Sequence, residues 1–234
     1  MNLFKRFAPQ FILLAIICLI ATFGYVKGEI VSVNARIYTK PTIIIDAGHG
    51  GFDGGATAED GTIEKDINLQ ISLKLSSLLR FYGCEVITTR DSDTGTEDDD
   101  SLAIAKRKKS DLYNRLQLMK DNPDAIFVSI HLNKFTTSSA SGAQVFYTKN
   151  YNEAYTLANC VQSSIKNLIQ PENNRVIKQG TNSTYLLKNA VVPTIIVECG
   201  FLSNKKDLEN LKNNDYQTQI AYAIVSGILE FYNS

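Results

Sequence analysis

Residues 42–55 read TIIIDAGHGGFDGG. Thr42 to Asp46 is a short apolar run ending in a carboxylate, the pattern of a strand covered on both faces rather than one with a wet side. His49 follows, wedged among Gly48, Gly50, Gly51, Gly54 and Gly55. Glycines at that density let a backbone bend close to another group with no Cβ in the way. The turn is therefore expected to deliver the imidazole into a tight place. A phosphate loop is excluded, because no Gly-Lys-Ser/Thr follows.

Outward from this strand, helical and extended patterns alternate. Ile67, Ile71, Leu75, Leu78, Leu79 and Tyr82 form one stripe of a helix that Gly83 stops. Strands are predicted over 84–90 (CEVITTR), 125–133 (AIFVSIHLN), 142–148 (GAQVFYT) and 193–201 (PTIIVECGF). Helices are predicted over 111–120, 153–169 and 216–232. This alternation gives an α/β fold: a single domain with a largely parallel, twisted sheet flanked by helices on both faces. In such sheets ligands gather beyond the carboxyl ends of the strands.

The chain has 234 residues, enough for one sizeable core. Its 24 basic and 24 acidic side chains cancel, so nothing marks a nucleic-acid partner. KRKK at 106–109 and EDDD at 97–100 fall in one polar stretch, 91–109, read as a solvated loop that shapes access to the groove. Lys5 and Arg6 precede an apolar run from Phe11 to Gly24, the form of an export signal. Residues 1–27 are read as a signal peptide or membrane anchor, the anchor being favoured because no small-residue cleavage site follows closely. Residues 28–41 are a tether and 42–234 the folded domain. The basic pair would keep the N-terminus inside and send the rest out of the cytoplasm. Beyond the anchor, Cys84, Cys160 and Cys199 are too few and too irregular for a disulfide framework.

Three apolar strands end in chemistry. The first gives His49, the third gives His131 and Asn133 in SIHLN, and the last gives Glu198 in VECGF. His49 and His131 are the chain's only histidines. Each alone is more often a hydrogen-bonded strand-end residue than a ligand, but one metal would satisfy several buried ionisable groups at once. Two imidazoles suit zinc, with a carboxylate as the third protein ligand and the fourth position left to water. That carboxylate is one of Glu64, Glu198 and Asp46. Glu64 stands at the entrance to the first helix with Asn68 one turn on, whereas Glu198 ends a strand.

Taken together, IIIDAGHGGFDGGA, EKDINLQIS, TTR, LYNR, FVSIHLN and IIVECGFLSN resemble the zinc-dependent N-acetylmuramoyl-L-alanine amidases, which hydrolyse peptidoglycan. The likeness covers about 42–232. The resemblance implies that His49, Glu64 and His131 hold one zinc ion per chain and that Glu198 is the catalytic acid/base. It also implies the bond, between the lactyl carbonyl of N-acetylmuramic acid and the L-alanine of the stem peptide. Leu132 stands where the family often has alanine, and Cys199 where a small or apolar residue is usual. With an anchor, one catalytic domain and no wall-binding repeats, the chain is similar to the spore-cortex members of that family. This implies peptidoglycan glycan strands with stem peptides as substrate, a membrane contact through the N-terminus, a place in the forespore envelope and room for an accessory protein.

Asp46 is expected either to orient an imidazole or to cap a turn. Asn68 and Asn133 are candidates for hydrogen bonds to the ligands or the substrate. Arg90 and Arg115 are expected to hold sheet-end carboxylates, or else to bind a stem-peptide carboxylate. The competing readings are a zinc peptidase or deacetylase on a similar scaffold, and an envelope-binding or regulatory module whose metal site is weak or depends on a partner.

Overall fold

The computed structural model describes residues 41–234. Six strands form one sheet: β1 (Thr42–Ala47), β2 (Glu85–Thr88), β3 (Ile126–Asn133), β4 (Gln144–Tyr147), β5 (Lys178–Gln179) and β6 (Thr194–Phe201). Their order is β2-β1-β3-β6-β4-β5. The helices are α1 (Glu64–Phe81), α2 (Ile104–Asp121), α3 (Asn152–Leu168), α4 (Tyr185–Asn189), α5 (Lys205–Lys212) and α6 (Asn214–Asn233). The sheet is parallel except where β4 runs against β6. The predicted anchor over 1–27, and the tether apart from Pro41, lie outside the described residues. Among those described, no helix is long and apolar enough to cross a membrane.

Side chains alternate along each strand, so each core sits on one sheet face. Ile43, Ile45, Val128, Ile130, Ile195 and Val197 join the apolar stripes of α1, α3 and α6 in the larger core. Ile44 and Phe127 face the other way, toward Leu116 and Met119 of α2 and Leu186 of α4. Residues such as Ile43 and Ile44 are therefore buried in opposite directions, and this explains a run with no polar alternation. In the larger core α3 and α6 approach at Gly227, where an added Cβ would lie 2.5 Å from the Val161 Cα. Cys84, Cys160 and Cys199 are free and buried, as their scattered spacing predicts.

Three expectations are corrected. The polar stretch 91–109 is not all loop, since α2 begins at Ile104 and carries KRKK. Its basic residues take specific partners: Arg107 pairs with Glu97 at 2.6 Å and lies over the Phe52 ring at 4.0 Å, and Lys108 reaches Asp53 at 3.0 Å. The stretch thus packs onto the glycine loop instead of projecting into solvent. Next, β5, α4 and α5 were not foreseen. Finally, Asp46 neither hydrogen-bonds an imidazole nor caps a turn; it reaches His49 only through Arg115. Fully buried, it accepts from Thr89 Oγ1, Ser129 Oγ and Arg115 Nη1. Burial works against its charge, but Arg115 and these hydroxyls hold its pKa below the ordinary value.

Candidate metal centre and catalytic carboxylate

The loop after β1 is shaped by hydrogen bonds to its carbonyls. Arg90 donates from Nε to Ala47 O and from Nη2 to Gly48 O, and Arg115 donates from Nη1 to Ala47 O and from Nη2 to His49 O. Two guanidinium groups therefore clamp three successive carbonyls. Held this way, His49 adopts φ +61°, a left-handed conformation costly for any residue with a Cβ. Arg115 also pairs with Asp46 and Asp111, so it does hold a sheet-end carboxylate. Arg90 binds carbonyls only, adding Ser92 O and Lys65 O.

The rest of the loop runs back to the start of α1. There Glu64 N donates to Ala56 O and Lys65 N to Gly54 O, so loop carbonyls satisfy donors that a helix start leaves open. Ala56 N in return donates to Glu64 Oε2 at 2.8 Å, and Leu132 N donates to Oε1 at 3.1 Å. One helix turn on, the fully buried Asn68 donates from Nδ2 to Gly48 O at 3.2 Å and to Glu64 Oε1 at 3.4 Å. Glu64 is thus fixed by the loop, by β3 and by its own helix.

Around it the two imidazoles close in. His49 Nε2 lies 3.4 Å and His131 Nδ1 3.1 Å from Glu64 Oε1. The rings stand edge to face, with centroids 4.9 Å apart. One ligating atom from each of His49, Glu64 and His131 lies within 4.8 Å of the others. The glycines make room for this: a Cβ on Gly48 would sit 2.3 Å from His131 Nε2, and one on Gly55 2.6 Å from both Glu64 Oε2 and His49 Cδ2. What approaches the turn so closely is the cluster itself.

The electrostatics suit a cation. Burial opposes charge on His49, but hydrogen bonds to Asp53 and Glu64 outweigh it and push its pKa up to about 9. Burial would raise Glu64, yet hydrogen bonds and charge from His131 and His49 hold it far below the usual carboxylate range. Without metal a proton is therefore trapped where positive charge is wanted. Two ring nitrogens and a carboxylate oxygen around that charge fit zinc.

Asp53 is a residue the sequence reading missed. His49 Nδ1 donates to Asp53 Oδ2 at 2.9 Å, which leaves Nε2 free to face Glu64. Its signal was only an acid four residues after a histidine, inside a loop with no period. Asn133, the last residue of β3, pairs in register with Phe201, and its carbonyl accepts from Leu202 N.

Glu198 of β6 is the register partner of His131, so both side chains lie on one sheet face. Its Oε2 is buried with no hydrogen-bond partner. Burial is the main cause that pushes its pKa up to about 7; His131 and His49 pull against this and Glu64 adds to it. A carboxyl group so poised accepts and releases protons near neutrality.

The N-acetylmuramoyl-L-alanine amidase family model (Amidase_3) matches residues 43–230. The chain belongs to this family. As an amidase it is 34% identical over 190 residues to the germination-specific N-acetylmuramoyl-L-alanine amidase of Bacillus subtilis, covering 81% of this chain and 79% of that one. Among solved structures it is similar to the CwlD amidase of Clostridioides difficile in complex with the GerS lipoprotein. That match has 40% identity and a TM-score of 0.79, over 83% of this chain and 99% of that one. It is also similar to the amidase AmiC2 of Nostoc punctiforme, with 29% identity and a TM-score of 0.68, over 83% and 98% of the two chains.

Proposed function

We propose that this amidase is a zinc hydrolase of spore-cortex peptidoglycan, cutting the amide between the lactyl carbonyl of N-acetylmuramic acid and L-alanine. The observation that carries the reading is the convergence of His49, Glu64 and His131 around one point, with Glu198 one strand away. His49, Glu64 and His131 would hold the ion. Zinc so held supplies a Lewis acid that lowers the pKa of water to about 7 and stabilises negative charge on a carbonyl oxygen. Glu198 takes the proton from the attacking water and then delivers one to the departing L-alanine nitrogen. An amide needs that delivery, because an unprotonated amine is a very poor leaving group. Asp53 holds His49 in the tautomer with Nε2 free. Asn68 keeps Glu64 oriented.

The cortex as substrate is supported by the germination-specific name of the Bacillus relative and by the likeness to CwlD. The site of action is outside the cytoplasm, with the apolar N-terminus as export signal and anchor. The Clostridioides relative was solved with a lipoprotein, which supports an accessory protein here too.

The test joins metal and product analysis. The purified chain is expected to hold one zinc, and digestion of cortex sacculi to release L-alanyl peptides with new free muramic carboxyl groups, seen by mass. Glu198→Gln is expected to keep the zinc and lose on the order of 10²–10⁴ of the rate. Full activity in Glu198→Gln, or cleavage at another bond, refutes the reading.

A further inference from the structure

A cavity of about 600 Å³ opens near the start of β4, with Ser141, Gly142, Asn173, Arg175, Lys206 and Asp207 among its walls. Arg175 lines it and also donates to Gln144 of β4. His131, Glu198 and Gln144 are register partners on β3, β6 and β4, so they form one row on one sheet face. With strands about 4.8 Å apart, Gln144 stands about 10 Å along that row from His131. Gln144 Oε1 accepts from Arg175 Nη1 at 3.0 Å, while Gln144 Nε2 donates to Val176 O at 2.8 Å, which turns the amide oxygen toward the guanidinium.

Arg175 is held rigidly. Its Nε donates to Ser141 O at 2.7 Å, and the guanidinium lies over the Phe201 ring at 4.4 Å. Nη2 has no acceptor, and no carboxylate comes within 4 Å, among the described residues. The other arginines in tight surroundings differ. Arg107 has Glu97, Arg115 has Asp46 and Asp111, and Arg90 is surrounded by four carbonyls. Of the acids on the cavity wall, Asp207 feels the charge of Arg175 but forms no ion pair with it and commits Oδ2 to Gly142 N and Phe201 N, and Glu172 is exposed. A half-buried guanidinium with Nη2 open and no carboxylate within 4 Å can still receive one.

We propose that Arg175 binds a carboxylate on the peptide part of the substrate and makes the enzyme selective for it. This rests on the amidase reading. Chemistry chooses the peptide over the sugar: the muramoyl carboxyl is consumed in the scissile amide, so the free carboxylates beyond that bond belong to the peptide. With the scissile carbonyl between His131 and Glu198, a peptide extending over the strand ends in the direction of β4 reaches Arg175.

The test uses the full chain with zinc and muramoyl peptides in which each free carboxylate in turn is a carboxamide. One carboxamide is expected to lower kcat/KM of the wild type about 10–100-fold through KM, the range of a charge-assisted pair. Arg175→Gln is expected to show that loss on the acid and no further loss on the amide, and Arg175→Lys to recover part of the preference. A merely structural arginine would lower both substrates equally. That result, or a preference unchanged in Arg175→Gln, overturns the proposal. Calorimetry of the free L-alanyl peptide and its amide reads the same preference as binding. If the wild type cleaves neither substrate, the amidase reading fails, and calorimetry still decides the role of Arg175.

Discussion

The sharpest perturbation is one carbon atom at Gly48. Its φ is not in the left-handed region, so alanine suits the backbone there, but the new Cβ would lie 2.3 Å from His131 Nε2 and 2.4 Å from Cε1. Ordinary contact begins at 3.4 Å, so the ring must retreat by about 1 Å. Zinc–nitrogen distances tolerate about 0.2 Å. On the proposed zinc site the variant loses His131 as a ligand, and zinc affinity is expected to fall at least about 100-fold, beyond the usual range for residues that only orient ligands. At zinc equal to 100 times the wild-type Kd, binding stabilises the wild type by about 2.7 kcal/mol; a 100-fold weaker site leaves about 0.4 kcal/mol. At about 2–4 °C per kcal/mol for a domain of this size, zinc raises Tm by about 5–11 °C in the wild type and about 1–2 °C in Gly48→Ala. Thermal melts with and without zinc read this directly, and the metal-free Tm values should nearly coincide. A full zinc shift in Gly48→Ala refutes the placement of the ring. A collapsed metal-free Tm means the strand absorbs the clash, and refutes the reasoning equally.

Asp53→Asn is expected to weaken zinc binding about 10–100-fold in a chelator competition, because the amide no longer accepts strongly from His49 Nδ1. In the metal-free protein Glu198 has its pKa raised from 4.5 to about 7, so the folded state binds the proton more tightly than the unfolded one. Its contribution to stability is complete below about pH 4.5 and is lost as pH rises through 7. Metal-free Tm measured over this range should fall, and Glu198→Gln should remove that part of the fall. Gly227→Ala, which sets a Cβ 2.5 Å from the Val161 Cα, forces α6 away from α3. It should cost about 1–3 kcal/mol in urea unfolding while leaving zinc affinity unchanged.

Burial and period made most of the frame legible. The apolar runs of β1, β3 and β6 and the stripes of α1, α3 and α6 are local signals, and β-strand ends place His49, His131 and Glu198 on one edge. Direction is not a local property. Nothing within Gln144–Tyr147 says that β4 runs against β6, which depends on how the chain returns. Strand β5 has two exposed residues and exists only through its pairing with β4, so it carries no apolar pattern. The first turns of α2 were hidden because their basic residues answer to Glu97 within the same polar stretch and to Phe52 and Asp53, which are distant in sequence. The roles of Arg90 and Arg115 were open for the same reason: their partners are mostly backbone carbonyls, which every residue possesses.

The contrast between two acids explains why one part of this sheet is structural and another chemical. Asp46 on β1 pairs in register with Ser129, two residues before His131, so Asp46 and Glu198 share a face two strands apart. Both are taken out of water. Asp46 receives a guanidinium and two hydroxyls, its charge is stabilised, and it is committed as a carboxylate. Glu198 receives no such donor at Oε2, and its pKa moves the opposite way. Pairing one acid and leaving the other bare separates their protonation states on one scaffold. The bare one can exchange protons in the working range, whereas Asp46 holds Arg115, and through it the His49 carbonyl, in place. Adding a donor beside Glu198 would improve the hydrogen-bonding of the fold and remove the proton exchange near neutrality on which the proposed reaction depends.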